Sequence, residues 1–169
     1  VFAFSVFTHL SERATKKNLA AIRNHMKVGA LACITIRPVE YWSHVHGSEP
    51  QDWLEARWNA HREEGFTFQP HQQRELVDGD ITYGDTSMTI EWLMSVADGF
   101  ELAAVDRSSD DEYQRYVFLR AIPFEESVSR PTRSAILHRR PAPGQLVHET
   151  RTVDLVRTVL SRLKSRVGM

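Results

Sequence analysis

Two histidines two positions apart, His44 and His46, lie between Glu40 and Glu49. On a strand such a pair shares one face, which suits a zinc ion. No further Cys or His cluster stands at ligand spacing, so the alternative is a pair of polar loop residues facing a substrate. Arg37 follows an apolar run and is suited either to hold an anionic or hydroxylated substrate or to form a surface ion pair. Tyr83 reads as a pocket-lining residue or as a core aromatic with a satisfied hydroxyl. Trp42, Trp53, Trp58 and Trp92 offer faces for a sugar or ring, but Trp53 and Trp58, at helical spacing, equally read as core. Ser5 as a nucleophile lacks the flanking glycines of a nucleophile elbow, and no Asp–His order completes a triad.

These residues need a scaffold, and the chain reads as α/β. Residues 1–7, an aromatic and β-branched run, predict a buried strand. Ser11 is a candidate N-cap for a helix reaching about Lys27, with Leu19, Ile22 and Met26 on one face and Gly29 as its stop. Leu31 to Ile36 then predicts a strand buried on both faces, ended by Arg37-Pro38. Strand, helix and strand with short joints form a βαβ unit with parallel strands. Residues 39–81 read as an insertion or lid. In it, Ser48 and Gln51 match a capping box for a helix to about Glu64, which Gly65 stops, and residues 66–81 form a loop or short hairpin. A further helix is expected from about Ser87 to Ala97. Phe100–Asp106 and Tyr113–Ile122 are expected to pair as an antiparallel hairpin closing one edge of the sheet.

Composition narrows the function classes. The 169 residues suit one domain, 1–122, plus a tail; 41% are hydrophobic and the net charge is −1. That balance argues against a dedicated nucleic-acid binder. Cys33 is the single cysteine, so no intrachain disulfide forms. The longest apolar run, Val28 to Ile36, is far short of the ~18 residues of a membrane helix. No basic segment precedes an apolar stretch at the N-terminus, so a cytoplasmic protein without a signal peptide is expected. From Pro123 onward the character changes. Pro123, Pro131, Pro141 and Pro143 punctuate a segment of little periodicity, read as a linker. Thr152 to Val167 then reads as a basic amphipathic helix with Leu155, Val156, Val159, Leu160 and Leu163 on one face. It either docks on residues 1–122, which carry a net charge of −6, or touches another module.

Several segments resemble class I S-adenosylmethionine-dependent methyltransferases. Ser5-Val6-Phe7-Thr8-His9-Leu10 looks like the segment after that family's fourth strand. Asn18 to Ile22 and Met26 to Leu31 resemble its next helix and its Leu-Lys-Pro-Gly-Gly turn, with Val28 where Pro is usual and Ala30 where Gly is usual. Tyr83-Gly84 followed by a helix, then Gly99-Phe100-Glu101-Leu102, a polar turn, Gln114 and a strand, is similar to the family's ending. The resemblance covers about residues 1–122. It implies the C-terminal part of a doubly wound, Rossmann-like sheet, with two parallel strands plus the terminal antiparallel hairpin, followed by a C-terminal helical tail. The family's glycine-rich loop has no counterpart here, and no Gly-x-Gly-x-x-Gly occurs. Because that loop cradles the cofactor, the chain alone is expected to bind S-adenosylmethionine weakly or not at all and to turn over nothing. Opening directly on strand residues, it reads as the back part of a larger domain, or as a chain with a processed N-terminus.

The resemblance also assigns roles. Ser5, Val6 and Phe7 fall at the cofactor, and Thr8 and His9 beside the acceptor. His9, with an ordinary pKa near 6.5, is the candidate general base; its alternative is a structural residue that caps its helix or packs under the loop. Arg37, His44, His46 and Tyr83 fall on the substrate side, as rim and lid. In ubiquinone-pathway relatives this loop binds a metal through two glutamates and a histidine. Here Ser5 and Thr8 stand in for the carboxylates, so no metal is expected. The function implied is methyl transfer to a small molecule or glycan. A rival reading is a non-catalytic half-domain that pairs with another chain as an interaction module. An apolar edge along residues 1–7 predicts self-association.

Overall fold

The computed structural model describes residues 1–72, 75–109 and 111–124. The expected linker and helix after Phe124 lie outside the described residues. The chain is mixed α/β. Strand β1 (Phe2–Ala3) leads through a 3-10 turn (Phe7–His9) into helix α1 (Glu12–Asn24), then strand β2 (Leu31–Ile36). Two helices follow, α2 (Tyr41–Val45) and α3 (Gln51–Glu63), then strands β3 (Phe66–Pro70) and β4 (Gly84–Met88). Helix α4 (Ile90–Val96) and strands β5 (Phe100–Arg107) and β6 (Arg115–Ala121) are the last elements among the described residues. The main sheet is four-stranded in the order β1-β2-β6-β5, and β3 pairs with β4 in a separate two-stranded sheet. β1 and β2 are parallel, while β6 runs antiparallel to both its neighbours. The hairpin thus returns its second strand to the middle of the sheet and leaves β5 at the edge. Among the described residues no helix is long and apolar enough to cross a membrane.

Local signals explain most of these elements. The Ser11 hydroxyl accepts from the Ala14 amide and starts α1. Leu19 is buried in the main core, with Ile22 and Met26 packed against it. The helix ends at Asn24, short of Lys27, and Gly29 serves the turn into β2, where its amide donates to the Ala121 carbonyl at 2.8 Å. Arg23, buried near the end of α1, donates to the carbonyls of Gly99, Met26 and Ile122 and ties the helix to the far ends of β5 and β6.

Several expectations are corrected. The opening strand is two residues long, and Val1, Phe2, Phe4 and Val6 are exposed rather than buried. Ser5 adopts φ +56° and bends the chain into the 3-10 turn, which ends the strand. β2 is buried on both faces only towards its end: Ala32, Ile34 and Ile36 enter the core and Thr35 is buried on the opposite face, while Leu31 is exposed and Cys33 half-buried. The capping box does not form. Pro50 is the N-cap of α3, without a side-chain hydrogen bond, because its fixed φ suits entry into a helix. Residues 66–70 form β3, whose partner β4 occupies the start of the helix expected from Ser87. That helix begins at Ile90, after Thr89, whose hydroxyl accepts from the Trp92 amide at 3.0 Å.

β4 is buried along its whole length although its sequence is Gly-Asp-Thr-Ser-Met. Its polar groups find partners on several sides. The Thr86 hydroxyl donates to the Leu10 carbonyl at 2.6 Å, and the Met88 amide donates to the Arg37 carbonyl at 3.2 Å. A buried strand this polar is stable only with such pairing. Gly84 is dictated by close approach, since a methyl group there would overlap the Gln69 backbone and press on Phe68.

Candidate functional site

The parallel strands β1 and β2 end on one side of the sheet, and the chain leaving each of them enters one polar cluster. The loop after β1 supplies His9. Arg37 follows β2, and α2 supplies Tyr41 with His46 just beyond its end. The β3–β4 hairpin supplies His71, Tyr83 and Asp85. Ligand sites of open α/β sheets characteristically lie outside the carboxyl ends of the strands.

Asp85 is the centre, with its side chain 7% exposed. Arg37 Nη1 donates to Oδ1 at 2.7 Å and the Tyr41 hydroxyl to the same oxygen at 2.8 Å. Oδ2 faces His71 Nε2 at 3.0 Å and His46 Nε2 at 3.2 Å. A carboxylate only accepts, so both imidazoles present N–H at Nε2. Burial favours the neutral acid, but hydrogen bonds from Tyr41, His71 and Arg37 outweigh it and hold Asp85 at about 2. Burial and the contact with this carboxylate push the Tyr41 phenol well above its ordinary value.

Arg37 makes three hydrogen bonds in the cluster. Beyond Asp85, Nη1 donates to the Thr8 carbonyl at 3.0 Å, Nη2 reaches His9 Nε2 at 3.1 Å, and the guanidinium lies 3.9 Å from the centre of the Tyr41 ring. His9 Nδ1 faces the Gly84 carbonyl at 2.8 Å. A carbonyl accepts, so Nδ1 carries the proton and Nε2 takes the Arg37 N–H. Burial, helped by the Arg37 charge, lowers the pKa of His9, so the ring is neutral near pH 7. Tyr83 is half-exposed, stacks on His9 with ring centres 5.4 Å apart, and meets His71 edge-on at 5.3 Å.

Behind the cluster lies an aromatic wall. Trp42 is fully buried, donates from Nε1 to Ser87 Oγ at 2.7 Å, and stacks on His46. His61 Nδ1 meets the same Ser87 oxygen at 2.8 Å, and burial lowers its pKa.

The residues singled out from sequence divide accordingly. His9, Arg37, His46 and Tyr83 come together. Thr8 is fully buried and contributes its carbonyl to Arg37. Ser5 is half-buried. Its amide donates to Thr35 Oγ1 at 2.7 Å, and its hydroxyl meets Thr8 Oγ1 at 3.3 Å and Gln114 Nε2 at 3.4 Å. Val6 is exposed at the same loop, whereas Phe7 belongs to the core. His44 stands apart from Asp85 and stacks on Tyr113 at 4.1 Å. His44 and His46 therefore share no partner, because they sit at the end of a short helix and not on a strand. Among the described residues no group of three or more His, Cys, Asp and Glu side chains is arranged to hold a metal ion.

Three members of the cluster escaped sequence reasoning: Tyr41, His71 and Asp85. The available signal was a lone Asp inside the polar run Gly84–Met88, flanked by Tyr83 and preceded by His71. Scanned against models of known protein families the chain matches none, and no curated protein matches it.

Proposed function

We propose that this chain is the C-terminal part of a Rossmann-like, class I S-adenosylmethionine-dependent methyltransferase. As part of that enzyme it acts in the cytoplasm on a small molecule or glycan rather than on nucleic acid, and alone it turns over nothing. The observation that carries the reading is the convergence of the loop after β1, the 39–81 insertion and the start of β4 on one polar cluster at the carboxyl ends of two parallel strands. The mixed sheet, with its closing antiparallel hairpin, suits the same family.

The residues present fit the cofactor in part. Val6 is exposed beside the cluster. Gln114 Oε1 is buried with no partner, on a side chain whose Nε2 touches Ser5, and it offers an acceptor to a donor group of a ligand. Phe7 supports the loop from within the core. The cofactor supplies an electrophilic methyl group; the chain's own task is to position the acceptor and manage its proton. Tyr83 and His71 face the acceptor, with His46 behind them. His9 serves as a base only if Arg37 withdraws from its Nε2.

Amide NMR during titration with S-adenosylhomocysteine tests the assignment. Weak, millimolar binding with shifts at Ser5, Val6 and Phe7 is expected, and a titration that leaves those amides unmoved overturns it. A second reading, an interaction module, draws on one observation: Phe2 is 67% exposed on a strand that, among the described residues, is paired along one side only. Co-purification of a partner chain that pairs with β1 would favour it.

A further inference from the structure

We infer that His71, oriented by Asp85, takes the proton from an uncharged hydroxyl acceptor at this site. The inference rests on the methyl-transfer reading for the fate of the oxygen, and on geometry alone for the base.

Three imidazoles surround the carboxylate of Asp85, and their surroundings separate them. His9 has Nδ1 on the Gly84 carbonyl and Nε2 under Arg37, so neither nitrogen has a lone pair to give. His46 has its side chain 20% exposed and is enclosed by the rings of Trp42, Trp53 and Tyr41. His71 has its side chain 39% exposed. Its Nε2–H is spent on Asp85 Oδ2, which leaves Nδ1 as the ring's lone-pair nitrogen on the side away from the carboxylate. A carboxylate that fixes the tautomer of an imidazole and stabilises its protonated form is the arrangement general bases use. Asp85 is here a positioning residue. The backbone supports the same pose, since the His71 amide donates to the Tyr83 carbonyl at 3.1 Å.

The charge of the cluster defines the acceptor. Arg37 is its one guanidinium among the described residues, and it is directed at Asp85, the Thr8 carbonyl, His9 and the Tyr41 face. Among the described residues the cluster offers no second guanidinium to hold an anionic substrate, and an already ionised acceptor needs no base. A sugar hydroxyl or a phenol fits, lying against the half-exposed Tyr83 ring. In the transfer the acceptor O–H bond breaks and its proton goes to His71 Nδ1. The oxygen's electron pair forms the O–CH3 bond, and the pair of the broken C–S bond stays on sulfur. The proton then leaves His71 for water.

Long-range proton–nitrogen NMR of the imidazoles in the full chain tests the base. In the wild type His71 is expected as the Nε2–H tautomer with a bare Nδ1. Diethyl pyrocarbonate should acylate it at least tenfold faster than His46 or His9. In Asp85→Asn, Arg37 and Tyr41 keep the amide oxygen on their side. The amide nitrogen then faces His71, which must accept through Nε2 and carry its proton on Nδ1. That tautomer flip is expected. An Nδ1–H tautomer in the wild type, an acylation rate no faster than that of His46, or an unflipped ring in a folded Asp85→Asn each overturns the proposal. If Asp85→Asn does not fold, the two wild-type measurements decide. Failure of the S-adenosylhomocysteine titration with the expected tautomer present overturns the methyl donor and leaves the base standing.

Discussion

Arg37 and Asp85 form a buried ion pair, 2.7 Å from Nη1 to Oδ1, across 48 positions of sequence. It joins the end of β2 to β4, and so holds the insertion against the main sheet at the point where both strand ends open. Neither charge is alone: the carboxylate receives four donors, and the guanidinium reaches two further acceptors.

Removing one partner leaves the other charge buried. Arg37→Ala and Asp85→Ala are each expected to destabilise the chain by roughly 3–5 kcal/mol, by chemical denaturation. The double variant should cost less than the sum, by on the order of 1–3 kcal/mol. Additive losses would mean that the pair is not coupled. Arg37→Lys should rescue little, because one ammonium cannot reach Asp85, the Thr8 carbonyl and His9 together.

Stability should fall in two stages on acidification. His9 and His61 have lowered values in the folded state, so below about pH 6.5 the unfolded chain binds protons that the folded chain refuses. Their contribution is present above that pH and is lost as pH falls through their folded values. Asp85, held at about 2, adds a second loss between about pH 4 and pH 2, on the order of 2 kcal/mol. Unfolding free energies measured from pH 7.5 to 2.5 read both stages. In His61→Gln the upper stage should shrink while the lower one stays, and a lower stage that persists in a folded Asp85→Asn would refute the assignment to Asp85.

Gly84→Ala should act on the hairpin. The added methyl meets the backbone of β3, which cannot rotate away as a side chain can. A loss of about 1–3 kcal/mol is expected, with hydrogen-exchange protection falling at Phe68 and Gln69 before it falls in β2. Uniform loss of protection would show that the hairpin and the main sheet open together.

The exposed edge of β1 predicts self-association. Phe2, Phe4 and Val6 are exposed beside a strand whose second side is unpaired among the described residues. Light scattering should show mass rising with concentration, and Phe2→Lys should suppress the rise, because a charged edge resists pairing. A mass independent of concentration in the wild type would rule this surface out.

Short-range chemistry made much of the scaffold legible. Ser11 caps α1, the spacing of Leu19, Ile22 and Met26 defines its inner face, and Gly65, at φ +79°, stops α3. The apolar run Leu31 to Ile36 gives β2 its bounds, and Asp98-Gly99 with the polar turn beyond Arg107 delimits the β5–β6 hairpin. In each case the deciding interactions lie within a few residues. The site is different. His9, Arg37, His46 and Tyr83 were readable one by one as polar residues near element ends. Their meeting depends on Asp85, which sits in a strand with no apolar alternation. β4 exists because β3, the Leu10 carbonyl and Arg37 satisfy its polar groups from three sides. Periodicity reports which face of an element is apolar; it carries no information about which distant donors will surround one buried carboxylate. The sequence by itself therefore determined the helices, β2 and the hairpin edge. Only the tertiary structure decided that four donors would share Asp85 and that His71 would be the most exposed imidazole beside it.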